Sequence, residues 1–176
     1  MSISDPESRA SNIMGGGAIP VIARGETVIV DAVPTLTVAG TFAANDYVGT
    51  SGTAITFSNC ARVAGGTGII VRAVLVDYAL QSVAAELWLF DTAPTPPNDN
   101  AAWTMTDANA ARCIGVIPFS TYYASALNSV SPGVPSAPIL FKCAAASKDL
   151  YGCIVTRGAP VYASGDLTAR LSVMQD

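Results

Sequence analysis

From Glu26 onward, short apolar runs alternate with turn-forming residues, and the runs read as strands rather than helices. The strand-like segments are ETVIV (26–30), TLTVAG (35–40), AANDYVG (43–49), AITFSN (54–59) and GGTGIIVRAVLVDYAL (65–80). ELWLF (86–90), CIGVIPF (113–119), APILFKC (137–143), LYGCIVTRG (150–158) and DLTARLSV (166–173) continue the series. Turn chemistry recurring every ~8–12 residues points to an all-β sandwich or barrel. In DLTARLSV, Leu167, Ala169, Leu171 and Val173 share one face, while Asp166, Thr168, Arg170 and Ser172 share the other. That is a half-buried strand.

GIIVRAVLVDYAL behaves differently. Val71, Ala73 and Leu75 fill one face, yet Val74, Val76 and Leu80 lie with Arg72 on the opposite one. Apolar residues on both faces call for cover on both, by the core and by a long loop or another subunit. Helical signal is confined to TMTDANAARC (104–113), where Thr106 or Asp107 can cap two turns at most.

Residues 1–23 stand apart. A polar start runs into Gly15-Gly16-Gly17, which no regular element holds without a large entropy cost. The division is therefore an arm, flexible on its own, at 1–23 and a single β-sandwich domain at 24–176.

Composition narrows the function. Charged residues are 12% against about a quarter in ordinary globular domains, and apolar types reach 51%. No apolar run approaches the ~20 residues of a membrane span. A charge-poor surface of this kind suits a protein covered by partners in an assembly. The net charge is −4 and the nine basic residues are scattered, so the electrostatic footprint of a nucleic-acid binder is missing. The N-terminus lacks a signal-peptide pattern, and synthesis in a cytoplasm is the expectation.

Candidate chemistry is sparse. With no histidine in the chain, imidazole-based dyads and triads are excluded. Lys142 next to Cys143 cannot activate its thiol, because neighbouring side chains of a strand point to opposite faces. Glu26, Glu86 and scattered aspartates form no visible acid–base pair. No enzyme activity, catalytic residue or cofactor is expected. The four cysteines, Cys60, Cys113, Cys143 and Cys153, lack zinc spacing and read first as buried apolar side chains. The alternative is one disulfide: if 137–143 and 150–158 form a hairpin centred near Lys148, Cys143 faces Cys153 at ~4.5–5.5 Å.

The loop DTAPTPPNDN (91–100) holds several oxygen ligands after a strand. Calcium needs such oxygens at staggered positions, and the candidates are Asp91 and Asp99. The prolines at 94, 96 and 97 favour instead a stiff connector whose Asn and Asp side chains cap turns. No metal is the expectation. Trp88 and Trp103 read as core aromatics.

The run AANDYVGTSGTAITFSNCARVAGGTGIIVRAVLVDYALQSVAAELWLFDTAPTPPNDNAAW resembles a group of tailed-bacteriophage virion proteins. Its members pair a Y-x-x-G/V…LTF-x-N-A-x-R…GG-x-G-x-I segment with L-x-L-x-LFD-x-x-PT…DNAA. The ending DLYGCIVTRGAPVYASGDLTARLSVMQD matches the same group, and the resemblance covers residues 26–176. The four cysteines depart from it.

The resemblance implies a capsid decoration, or cement, protein: a jelly-roll-like sandwich outside the head shell, forming trimers or dimers and clamping neighbouring capsomers. The implied partners are the major capsid protein and further copies of the chain, with no nucleic acid and no membrane. The implied location is the capsid exterior of the virion, after synthesis in the bacterial host cytoplasm. Lattice contacts are expected from Arg9, Ile13, Met14 and Ile19 in the arm. The alternative from another class is a receptor- or glycan-binding module of the phage tail or fibre, with the Asp91–Asn100 loop and Trp103 facing outward.

Overall fold

The computed structural model describes residues 25–176, so the arm at 1–23, with Arg9, Ile13, Met14 and Ile19, lies outside the described residues. In chain order the elements are β1 (Glu26–Ala32), β2 (Gly40–Thr41), β3 (Tyr47–Val48), β4 (Ile55–Phe57), β5 (Thr67–Asp77) and β6 (Ala85–Phe90). A single helical turn, α1 (Asp107–Ala110), precedes β7 (Cys113–Phe119), β8 (Tyr123–Ala124), β9 (Ser129–Gly133) and β10 (Ile139–Lys142). β11 (Leu150–Thr156), β12 (Val161–Tyr162) and β13 (Leu167–Gln175) close the chain.

Two antiparallel sheets face each other. One runs β1-β13-β5-β9-β8, with β10 also on β5; the other runs β3-β11-β6-β7, with β4 also on β11. Two of these strands are interrupted ones. β9 and β10 pair with successive parts of β5, Gly133 opposite Ala73 and Ile139 opposite Ile70. β3 and β4 likewise pair with successive parts of β11. Joining each pair of fragments leaves eight principal strands, ordered first-eighth-third-sixth in one sheet and second-seventh-fourth-fifth in the other. That wiring is a jelly roll. A small β2–β12 ribbon sits apart.

The core is the space between the sheets. Leu167, Ala169, Leu171 and Val173 all point into it, as the alternation of β13 requires. Leu87, Leu89, Ile117, Phe119 and Ile154 meet them from the other layer. Gly133 is where the layers come closest: a Cβ there would lie 2.5 Å from the Phe119 ring and 2.6 Å from Ile117. Only a glycine fits under those side chains.

A bulge in β5 takes Val71 out of the inward series but leaves Val74 and Val76 facing outward. Ser172 pairs with Arg72 but Val173 pairs with Ile70, so Val71 has no partner on β13 and the inward series shifts phase. Gly68 and Ile70 point inward before the bulge, Ala73, Leu75 and Asp77 after it.

Several expectations need correction. Residues 35–39 and 43–45 are loop rather than strand and Asp46 forms only an isolated bridge; the Leu36, Val38 and Ala43 amides donate to the side chains of Ser164, Asp99 and Asp46 instead of to a ladder. The helix shrinks to one turn, with the Asn109 amide donating to Thr106 Oγ1 at 3.2 Å. β9 is not among the predicted strands, and in it Ser129, Ser131 and Gly133 face inward while Val130 and Pro132 face out.

Across β1 and β13, Arg170 donates from Nε and Nη2 to the two Asp31 oxygens, both at 2.7 Å. Those hydrogen bonds hold the Asp31 carboxyl below its ordinary value of 3.8. A depressed folded value means the contribution is full above that ordinary value and is lost as pH falls through the lower folded one. Because the pair is exposed, Asp31→Asn is expected to cost only about 0.5 kcal/mol at neutral pH. Urea midpoints of parent and variant should converge as pH falls through the lowered folded value.

Candidate functional site

The 91–103 loop is a cover for the outer face of the five-stranded sheet. The Tyr47 amide donates to Ala101 O at 2.9 Å, the Asn100 amide returns a bond to Tyr47 O at 3.0 Å, and the Trp103 amide donates to Asn45 O at 2.7 Å. Trp103 then packs in tilted contact with Trp88 at 5.8 Å and with Tyr47 at 6.1 Å between ring centroids. Beneath these rings Tyr47, Ala54, Phe90 and Cys153 form a second small core. Both tryptophans are packing residues, as their sequence positions suggest.

Asp99 is the pin of this cover. Its buried carboxylate accepts the Val38 amide at 2.8 Å on Oδ2 and the Gly49 amide at 3.1 Å on Oδ1. Its own amide donates to Ser51 Oγ at 3.0 Å. Asp91 points elsewhere, to Arg112 Nη1 at 3.5 Å. The two calcium candidates have separate partners: Asp99 accepts backbone hydrogens, and Asp91 pairs with Arg112. Among the described residues no three His, Cys, Asp or Glu side chains form a metal-sized group. Glu86 is also engaged, accepting from Trp88 Nε1 at 3.0 Å and from Arg157, which donates in turn to Asn45.

The Cys143–Cys153 disulfide is corrected as well. The expected hairpin does not form: Cys143 follows β10, which pairs with β5, whereas Cys153 lies in β11 opposite Trp88 in the other sheet. All four thiols are free. Burial pushes Cys60 and Cys153 up to about 12 and Cys143 to about 11, and raises Cys113. The thiolate is the nucleophile, so buried Cys60, Cys143 and Cys153 are poorly placed to react in the fold, and half-buried Cys113 is raised in the same direction. A thiol-reactive dye at about pH 8 should label none of them rapidly in native protein and all four after unfolding. Rapid native labelling would contradict the packing.

Among the described residues the other sheet has no such cover. Register places the outward side chains of β1, β13, β5, β9, β8 and β10 in rows across the strands. One row is Tyr123, Val130, Val76 and Thr168. A second is Pro132, Val74, Arg170 and Asp31. A third, at the far end, is Leu140, Ile69, Met174 and Thr27. Tyr123 is 64% exposed, Leu140 76% and Ile29 63%. Between the second and third rows lie Ile29, Ser172 and Arg72, with Arg72 Nε donating to Ser172 Oγ at 3.4 Å, so two mainly apolar rows bracket two rows that carry charge. No family model, curated protein or solved structure matches this chain.

A largely apolar face with few charges, the Arg170–Asp31 pair together with Arg72 and Lys142, is the makeup of a contact surface, since such patches rarely stay open on a soluble monomer. Sequence reading anticipates its β5 part, in Val74 and Val76, and misses Tyr123, Val130, Val134 and Leu140. The available signal is the alternation in SVSPG, whose apolar members occupy the positions that prove outward.

Proposed function

We propose that this chain is a structural protein of a tailed-bacteriophage virion, a capsid decoration protein that binds the expanded head shell across capsomer boundaries. The observation that carries the reading is the uncovered apolar face of the six-stranded sheet on a chain with only 12% charged residues. The sequence resemblance of residues 26–176 to phage virion proteins supplies the partner class. Fold alone would not, because jelly rolls serve many functions.

The action is mechanical. The protein meets its site only in the expanded shell, so binding stabilises that state by linkage. Self-association as a trimer or dimer adds avidity, because one protomer's release leaves the others bound. Arg9, Ile13 and Met14, upstream of the triple glycine, extend the contact to a neighbouring capsomer. Its place is the capsid exterior, after synthesis in the host cytoplasm. The reading as a tail module for glycans has less support, because Trp103 is packed against Trp88 and Tyr47.

Quantifying the chain against the major shell protein in purified virions tests this. A simple whole-number ratio is expected, and a trace amount matching a tail tip would overturn the proposal.

A further inference from the structure

A strand that ends a sheet is a template for pairing with another chain unless something blunts it. Among the described residues the free edges are blunted, with one exception. β2, β3, β8 and β12 are two residues long and β4 three. β9 carries Pro132 where it runs beyond β8, and β10 is short, follows Pro138 and ends in Lys142. β7 holds Pro118 and a bulge, since Leu89 pairs with Gly115 but Phe90 with Cys113. β1 has none of these devices. Its seven residues, ETVIVDA, contain no proline, lysine or bulge, and each pairs with β13. It ends the six-stranded sheet, and among the described residues no backbone hydrogen bond reaches its other side.

We propose that this edge pairs antiparallel with the same edge of a second copy, about a two-fold axis at Ile29, joining two six-stranded sheets into one. The strand's own sequence selects that occupant. With Ile29 opposite Ile29 all seven residues find partners, and no other antiparallel register of β1 on itself achieves this. Val28 of each copy then meets Val30 of the other. Both valines pack against the core but stay half-buried, because the sheet ends beside them, and a second copy completes their cover. On the outer face Ile29, 63% exposed, meets its counterpart. Charge agrees: Asp31 falls opposite a Thr27 hydroxyl and Glu26 opposite Ala32, so no like charges stand face to face.

The pairing sets the two outer faces side by side. The row Pro132, Val74, Arg170 and Asp31 of one copy runs on into Thr27, Met174, Ile69 and Leu140 of the other. Self-association in the virion role thereby gains a site, although the inference rests on the strand alone and holds with or without a shell.

Sedimentation equilibrium of the full-length protein without shells tests it, from about 1 μM to about 1 mM, a range suited to so small an interface. A monomer–dimer equilibrium is expected, rising from 18.0 kDa toward twice that mass. Over the same range, exchange of alternate β1 amides, those not bonded to β13, should slow at least about tenfold as concentration rises. Ile29→Lys places two like charges face to face on the axis and should weaken the dimer at least about tenfold. Tyr123→Lys, on the opposite edge of the sheet, should leave it unchanged. A monomer throughout would overturn the proposal, and so would a trimer, which a two-fold edge cannot build. A dimer that Ile29→Lys leaves as tight, or whose β1 amides exchange alike at every concentration, would overturn it too, since the copies would then meet elsewhere. The parent's own mass and exchange decide the matter, so an unfolded variant gives the proposal no shelter.

Discussion

Asp99→Ala is expected to be the most destabilising single change in a loop of this protein, by about 3 kcal/mol. One carboxylate joins three distant pieces of chain: Val38 before β3, Gly49 just after it, and the cover loop that carries Asp99 itself. Removing it leaves the Gly49 amide buried without an acceptor, whereas the Val38 amide, nearer the surface, partly recovers water. Each bond to an ionised acceptor contributes ~1.5–3 kcal/mol, and that partial recovery keeps the total near the lower end of the summed range. Asp99→Asn preserves shape but turns an amide donor toward one of the two N–H groups, so it should rescue less than half of the loss. The urea midpoint should fall with an unchanged slope, because the surface exposed on unfolding is the same. A midpoint equal to the parent's would mean that the loop is not held by this residue.

Trp103→Ala is expected to cost about 2–3 kcal/mol, less than a fully buried tryptophan because one edge of this ring meets solvent. The loss is local in character. Trp103 is the part of the cover that closes over Trp88 and Tyr47, with Cys153 and Cys113 in the same small core. Its removal should therefore make Cys113 and Cys153 react with a thiol dye while Cys60 and Cys143, between the sheets, stay protected. Mass spectrometry of the labelled protein separates the two pairs. Unchanged labelling of Cys153 would contradict the role of the loop as a cover.

Much of this fold is readable from period-2 patterning, and where patterning fails the reason is physical. β13 and β6 read correctly because each buries one clean apolar face. β9 does not, since Ser129, Ser131 and Gly133 face the core under Phe119 and Ile117, inverting the usual alternation. The cysteine pairing fails for a different reason. A short connector such as AAASKD suggests a hairpin, but β10 is spent on β5 and β11 on β6, so the chain crosses between sheets there. Long-range pairing of that kind leaves no local trace.

The candidate site shows the same division. Two apolar faces on β5 announce in the sequence that something must cover its outside. Which strands extend that face is invisible until β8, β9 and β10 are seen beside it. The proline-rich loop is legible as a rigid turn. Its work as a cover for the other sheet depends on Asn45, Tyr47 and Thr41, all distant in sequence.

The most direct measurement is sedimentation with expanded capsid shells assembled without this protein, comparing the parent with Val130→Asp. Val130 lies at the centre of the apolar row between Tyr123 and Val76 and points out of the fold, so the substitution should leave the melting curve intact. The account predicts that the parent saturates at a symmetry-related number of copies per shell and that the variant binds at least about tenfold more weakly. Equal binding by both, or none by the parent, would contradict it.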